Sequence, residues 1–136
     1  MKTYLLDANV VLRFLTQDNP VQSKAATALF EKAKKKEVVL ELDAVMLAEV
    51  IYLLDGYYKR SRQDIASLLL RLVSSQGIEV ENQTTVINAL LRFKNEPVDF
   101  PDAWLAAQTA ESKTPAASFD EDLDRFPDVT RYEPKA

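Results

Sequence analysis

The chain has 136 residues, 47% of them hydrophobic, and a net charge of −4, which suits one domain, 1–136, with a real core. It contains neither cysteine nor histidine, so disulfide frameworks, thiolate zinc sites and Ser-His or Cys-His nucleophile pairs are excluded. Any metal must be held by oxygen, hence a hard cation such as Mg²⁺, Mn²⁺ or Ca²⁺, and the acidic balance counts against a protein that merely coats nucleic acid.

Residues 1–6 begin like a secretory leader, but Asp7 and Arg13 break the apolar run too early and no cleavage pattern follows. No stretch is long and apolar enough to span a bilayer; a soluble, cytoplasmic protein is expected. Residues 2–6 predict a buried strand and 10–16 a short helix. Asn19-Pro20 is a helix start, a cap followed by proline at the first helical position. Val21, Ala25, Ala28 and Leu29 then mark one face at helical spacing, and the helix ends in Lys34-Lys35-Lys36. Val38–Leu42 is the second strand, and Asp43 caps the long helix that follows. Ser61 with Asp64 resembles a capping box. Ile65, Leu68, Leu69, Leu72 and Val73 form an amphipathic stripe after it, closed by Gly77 before a brief strand at Ile78–Val80. Val86, Ala89, Leu90 and Phe93 mark another helix, and Phe100–Ser112 is helical again. Residues 116–119 read as a strand, Glu121–Arg125 as a helical turn and 129–132 as a last edge strand. Strands alternating with helices predict an α/β fold with a mostly parallel sheet covered on both faces. Ligands of such sheets sit outside the C-terminal strand ends.

Three acids interrupt apolar sequence. Asp7 is the only charged residue between positions 4 and 12, Glu49 between 44 and 54, and Asp102 between 100 and 110. A helix apolar on nearly every face is a buried one, and an unpartnered carboxylate there is costly or takes up a proton. A fourth acid, Asp120, follows the 116–119 strand in Ser118-Phe119-Asp120-Glu121-Asp122. In a parallel sheet Asp7 and Asp120 leave the same edge, and Asp102 lies at a helix start. The Glu49 side chain leans back toward the N-terminus of its helix. Carboxylates gathered there repel unless a divalent ion neutralises them.

Each acid also has an ordinary role open to it. Asp7 can cap the next helix, and Asp102 can answer Asp99 as cap. Glu49 can pair with a buried arginine, and Asp120 with Asp122 can form a solvated turn. Arg13 either reaches a substrate phosphate or pairs with a nearby acid. The lysines at 32 and 34–36 complement a helix dipole in solvent. Segment 50–58 is either core or a partner surface, with Tyr57 and Tyr58 its best interface residues.

These residues resemble the motifs of PIN-domain ribonucleases, specifically the VapC-type toxins of toxin–antitoxin pairs. Leu6-Asp7-Ala8-Asn9-Val10-Val11-Leu12-Arg13 resembles the first motif and Leu47-Ala48-Glu49-Val50 the second. Asp99-Phe100-Pro101-Asp102-Ala103-Trp104-Leu105-Ala106-Ala107 resembles the third, and Ser118-Phe119-Asp120-Glu121-Asp122-Leu123 the fourth. The resemblance implies a three-layer α/β/α fold with a sheet of four to five strands. It also implies a homodimer, an antitoxin that obstructs the site, and endonucleolytic cleavage of RNA. Asp7 and Asp102 would be the main ligands of Mg²⁺ or Mn²⁺, with Glu49 and Asp120 completing the shell directly or through water. Asn9 and Ser118 would orient water or a phosphate oxygen, supported by Asp99, Asp122 and Arg13. Two rivals remain. One is a receiver-like or phosphatase-like domain, disfavoured because Asn9 stands where a haloacid-type phosphatase needs its second Asp. The other is a PIN-like module that binds RNA or a partner without cutting.

Overall fold

Parallel strands organise the first of two units, Met1–Gln83 and Thr84–Ala136, in a computed structural model that describes residues 1–136. In the first unit β1 (Lys2–Leu5), β2 (Val38–Leu42) and β3 (Ile78–Val80) form a sheet in the order β1-β2-β3. Both pairings are parallel, with Tyr4 opposite Leu40 and Leu40 opposite Ile78. The central strand buries Val38, Leu40 and Leu42 in alternation, as the period-two pleat requires. β1 is different: all four of its residues are exposed, Leu5 to 81%. An apolar run signals a strand but not its neighbours, and β1 is an edge strand of this sheet with β2 alone beside it.

Helices α1 (Ala8–Thr16), α2 (Pro20–Lys34), α3 (Ala44–Gly56) and α4 (Arg62–Val73) complete the unit. Three start on expected caps: Asn19, Asp43 and Ser61 accept from the amides of Gln22 (3.1 Å), Met46 (2.8 Å) and Asp64 (3.1 Å). The face of α2 differs from expectation. Val21, Ala25 and Ala28 are exposed, while Ser23, Ala26, Phe30 and Ala33 are buried. Phe30 decides the matter by stacking on Phe14 of α1, ring centroids 4.1 Å apart and 10° from parallel. α4 ends at Val73 with Ser74 as its cap, short of Gly77. Gly77 instead turns the chain into β3 at φ +86°, where a Cβ would lie 2.3 Å from the Ala33 carbonyl oxygen.

The second unit holds α5, which starts at the boundary (Gln83–Asn95), α6 (Phe100–Ser112), and the parallel pair β4 (Ala116–Ala117) and β5 (Arg131–Tyr132). A 3₁₀ turn, Glu121–Arg125, lies between these strands and buries Leu123. α5 buries the four residues its periodicity marked, Val86, Ala89, Leu90 and Phe93. Glu111 ties α6 to α5 by accepting from Thr85 Oγ1 (2.6 Å) and Asn88 Nδ2 (3.1 Å). Arg92 grips Asp128 through Nη1 and Nη2, and Arg131 grips Asp124 through Nε and Nη2.

The alternation of helices with parallel strands is that of a three-layer α/β/α fold, as expected. The strand arrangement is corrected. Five short strands exist, but as sheets of three and two, not one sheet of four to five. The last two strands are shorter than the expected 116–119 and 129–132, and after β4 the backbone already turns at Ser118. No helix is long and apolar enough to cross a membrane.

Candidate functional site

In the second unit the acids gather around the start of α6. Asp99 is its N-cap residue, in extended conformation, and its carbonyl accepts from the Ala103 amide at 3.0 Å. The Asp99 carboxylate makes no capping bond, so the ordinary role that pairs Asp99 with Asp102 is not taken up. Asp102 lies in the first helical turn and is half-buried. Asp120 is set by the turn after β4. Its amide donates to Ser118 Oγ at 2.9 Å, and its Oδ1 accepts from the Asp122 amide at 2.9 Å. Ser118 is itself anchored, its amide donating to the Tyr132 carbonyl at 3.0 Å.

Burial pushes the Asp102 carboxyl above its ordinary range, and the negative charges of Asp120 and Asp99 push it further. A hydrogen-bond contact with Asp120 and the charge of Asp122 act in the same direction. Such a group wants a proton or a cation. The arginines offer it none, because Arg92 holds Asp128, Arg131 holds Asp124 and Glu133, and Arg125 holds Asp122 and Glu96. Asp122 is thus partly engaged, and Asp120 with Asp122 does form the local turn that was its ordinary alternative. The unneutralised donors, all carboxylate oxygens with no nitrogen or sulfur among them, fit a hard divalent cation.

The first unit carries Asp7, Asn9, Arg13 and Glu49. Asp7 follows β1 as the N-cap residue of α1, its carbonyl accepting from Val10 (3.1 Å) and Val11 (3.4 Å). Its carboxylate is exposed and makes no capping bond. Asn9 is exposed two residues later, beside a groove between α1 and α2. Arg13 takes its ordinary role: it donates to Gln22 Oε1 (2.8 Å), Tyr58 Oη (3.2 Å) and Asp18 Oδ1 (3.4 Å). Tyr58 also gives its hydroxyl proton to Asp18 Oδ2 at 2.6 Å, which makes it a structural residue.

Glu49 corrects the expectation of a helix buried all round. α3 buries Leu47, Val50, Ile51 and Leu54, and its other face is exposed, with Val45 at 72% and Tyr52 at 73%. Glu49 stands on that exposed face between them. No arginine or lysine pairs with it or with Asp7.

A hollow of about 380 Å³ lies outside the C-terminal ends of β1 to β3, where parallel sheets receive ligands. Its acids are Glu41, Asp43, Glu79 and Glu81, of which the sequence singled out only Asp43, as a helix cap and not as a site residue. Asp43 there is already engaged as the cap of α3. Within neither unit are three acidic side chains grouped closely enough to hold one cation. The structure sets Asp120, Asp99 and Asp122 near enough to Asp102 for their charges to act on it, and places Asp7 and Glu49 as separate exposed acids of the first unit.

Residues 4–129 match the PIN domain, and the chain belongs to that family, a nuclease-type fold. No curated protein matches the chain. The matched stretch spans Asp7, Glu49, Asp99, Asp102, Asp120 and Asp122.

Proposed function

We propose that the chain is a metal-dependent endoribonuclease, the toxin of a toxin–antitoxin pair, with Asp7, Glu49, Asp102 and Asp120 as its acidic residues. The observation that carries the reading is the half-buried Asp102 carboxyl, raised by burial and then by Asp120 and Asp99, and paired with no arginine or lysine in a PIN domain. Mg²⁺ or Mn²⁺ bound to these acids would supply charge neutralisation at the phosphate and activation of water.

The chain's own residues divide the remaining work. As the family resemblance implies, Asp7 and Asp102 would hold the ion, with Glu49 and Asp120 completing the oxygen shell. Ser118 fixes the Asp120 backbone through its Oγ, and Asn9 orients water or a phosphate oxygen. With no histidine in the chain, proton transfer falls to a carboxylate, Asp102 or Asp120. The exposed Val45, Tyr52 and Tyr57 support an interface with a second copy or an antitoxin. A cytoplasmic setting follows from a toxin that acts on cellular RNA.

The test is direct. Purified protein is incubated with mixed RNA and Mn²⁺ or Mg²⁺, with and without EDTA, beside Asp7→Asn and Asp102→Asn. Cleavage that needs the metal and disappears in both variants is expected. Cleavage in EDTA, or variants that cut like the parent, overturns the mechanism. RNA binding without cleavage by the parent leaves the non-catalytic module as the function.

A further inference from the structure

Arg131 reaches both ends of the acidic turn, and the function proposed above leaves it unused. It stands on β5 opposite Ala116 of β4, with its side chain only 14% exposed. Its Nη1 donates to the Ser118 carbonyl at 3.1 Å, where the chain leaves β4. Its Nε and Nη2 each donate to the Asp124 carboxylate at 3.0 Å, within the 3₁₀ turn. One planar group thus ties Ser118 to Asp124 and closes the stretch that carries Asp120 and Asp122 into a loop.

Inside that loop, Asp120 is held by bonds that start from its ends. Ser118 Oγ accepts from the Asp120 amide at 2.9 Å, and the Asp120 carbonyl accepts from the Leu123 amide at 3.3 Å. Asp120 therefore hangs between a residue that Arg131 binds directly and the neighbour of another. The guanidinium spends its charge elsewhere, on Asp124 and on Glu133, whose Oε1 accepts from Nη1 at 3.1 Å. Two carboxylates outweigh one cation, so what Arg131 gives the turn is shape. Arg92 offers a comparison within the same unit. It grips Asp128 by a similar fork at 13% exposure, but its hydrogen bonds go only to Asn88 and Asp128, outside the turn.

We infer that Arg131 is a positioning residue for the metal site: by clasping Ser118 and Asp124 it fixes the backbone from which Asp120 presents its carboxylate to the cation. This rests on the nuclease reading and adds to it a residue outside all four motif segments.

The experiment reads Mn²⁺ affinity by electron paramagnetic resonance of the free ion, and backbone opening by hydrogen exchange of residues 118–124 without metal. The parent is compared with Arg131→Gln, Arg131→Lys and Arg92→Gln. Arg131→Gln is expected to speed exchange in 118–124 and to weaken Mn²⁺ binding about 10- to 100-fold, the usual cost of losing a group that orients a metal ligand. Arg131→Lys keeps the charge and loses the fork, so it is expected to bind as weakly as Arg131→Gln. Arg92→Gln loses a like fork elsewhere and is expected to bind Mn²⁺ as the parent does, even where its thermal midpoint falls as far. Parent-like affinity in Arg131→Gln, full recovery in Arg131→Lys, or an equal loss in Arg92→Gln overturns the positioning role and leaves the nuclease reading intact. Where Arg131→Gln does not fold, Asp124→Asn opens the same clasp from its other side and is held to the same expectations. A parent that binds no Mn²⁺ overturns both readings.

Discussion

Asp102 is charged in a place that resists its charge. Its folded-state pKa is raised, so at neutral pH the folded protein carries a repulsion that the unfolded chain does not. Removing the charge should relieve it. Asp102→Asn, without metal, should melt at the same temperature as the parent or higher at pH 7. The gap should close as pH falls through the raised pKa toward about 4, where the parent carboxyl protonates in both states. A lower midpoint at pH 7 would show that the charge is compensated. Asp18 has the opposite sign. The Tyr58 hydroxyl and then Thr16 hold its pKa below the usual range, so its stabilisation is present above about pH 4 and lost as pH falls through the lowered value. Tyr58→Phe should therefore destabilise the protein at pH 7 and converge with the parent in acid, measured by denaturant titration across pH. Much of this was legible residue by residue. A lone acid in apolar sequence did single out Asp102, and Ser-x-Asp did mark Asp120. The burial expected all round α3 failed for a simple cause, since an apolar helix face reads alike whether or not anything covers it. Arg131 gave no signal, because one arginine near a polar chain end is unremarkable until its partners are seen.

Among the elements, caps were the most readable feature, because a cap is a local bond. Asn19, Asp43 and Ser61 each accept the amide three residues on, as their sequence positions implied. Faces were less readable. On α2 two stripes compete, and the Phe14–Phe30 stack selects the one with smaller residues. That choice depends on a partner helix absent from local sequence. The two glycines separate backbone need from mere occupancy. Gly56 ends α3, and an added methyl there would meet nothing within 4 Å. Gly56→Ala should be stabilising by about 0.4–1 kcal/mol. Gly77→Ala should cost about 1–3 kcal/mol or more, since the φ of +86° and the Ala33 carbonyl both oppose it. Urea titrations of the two variants check the pair, and equal effects would contradict the geometry.

For the whole molecule the sequence indicated an α/β class correctly and the sheet incorrectly. Strand pairing is non-local, and nothing in Ala116–Ala117 or Arg131–Tyr132 announces that they pair as a separate sheet. The functional reading has its own global test, the response to a cation. A metal that binds only the folded chain stabilises it by about 2.7 kcal/mol at a hundredfold excess over Kd. Mn²⁺ should therefore raise the thermal midpoint, EDTA should reverse the rise, and Asp102→Asn should abolish it. A full response in that variant would remove Asp102 from the ligand set.

The division of labour among the cations has a practical consequence. Every ion pair uses a guanidinium, and none uses an ammonium group. Reductive methylation or acetylation of surface amines should thus break no ion pair, with acetylation alone stripping positive charge. Any decline in RNA affinity after acetylation, at constant melting behaviour, would trace to lost attraction for the polyanion, in a chain where the two effects are chemically separable.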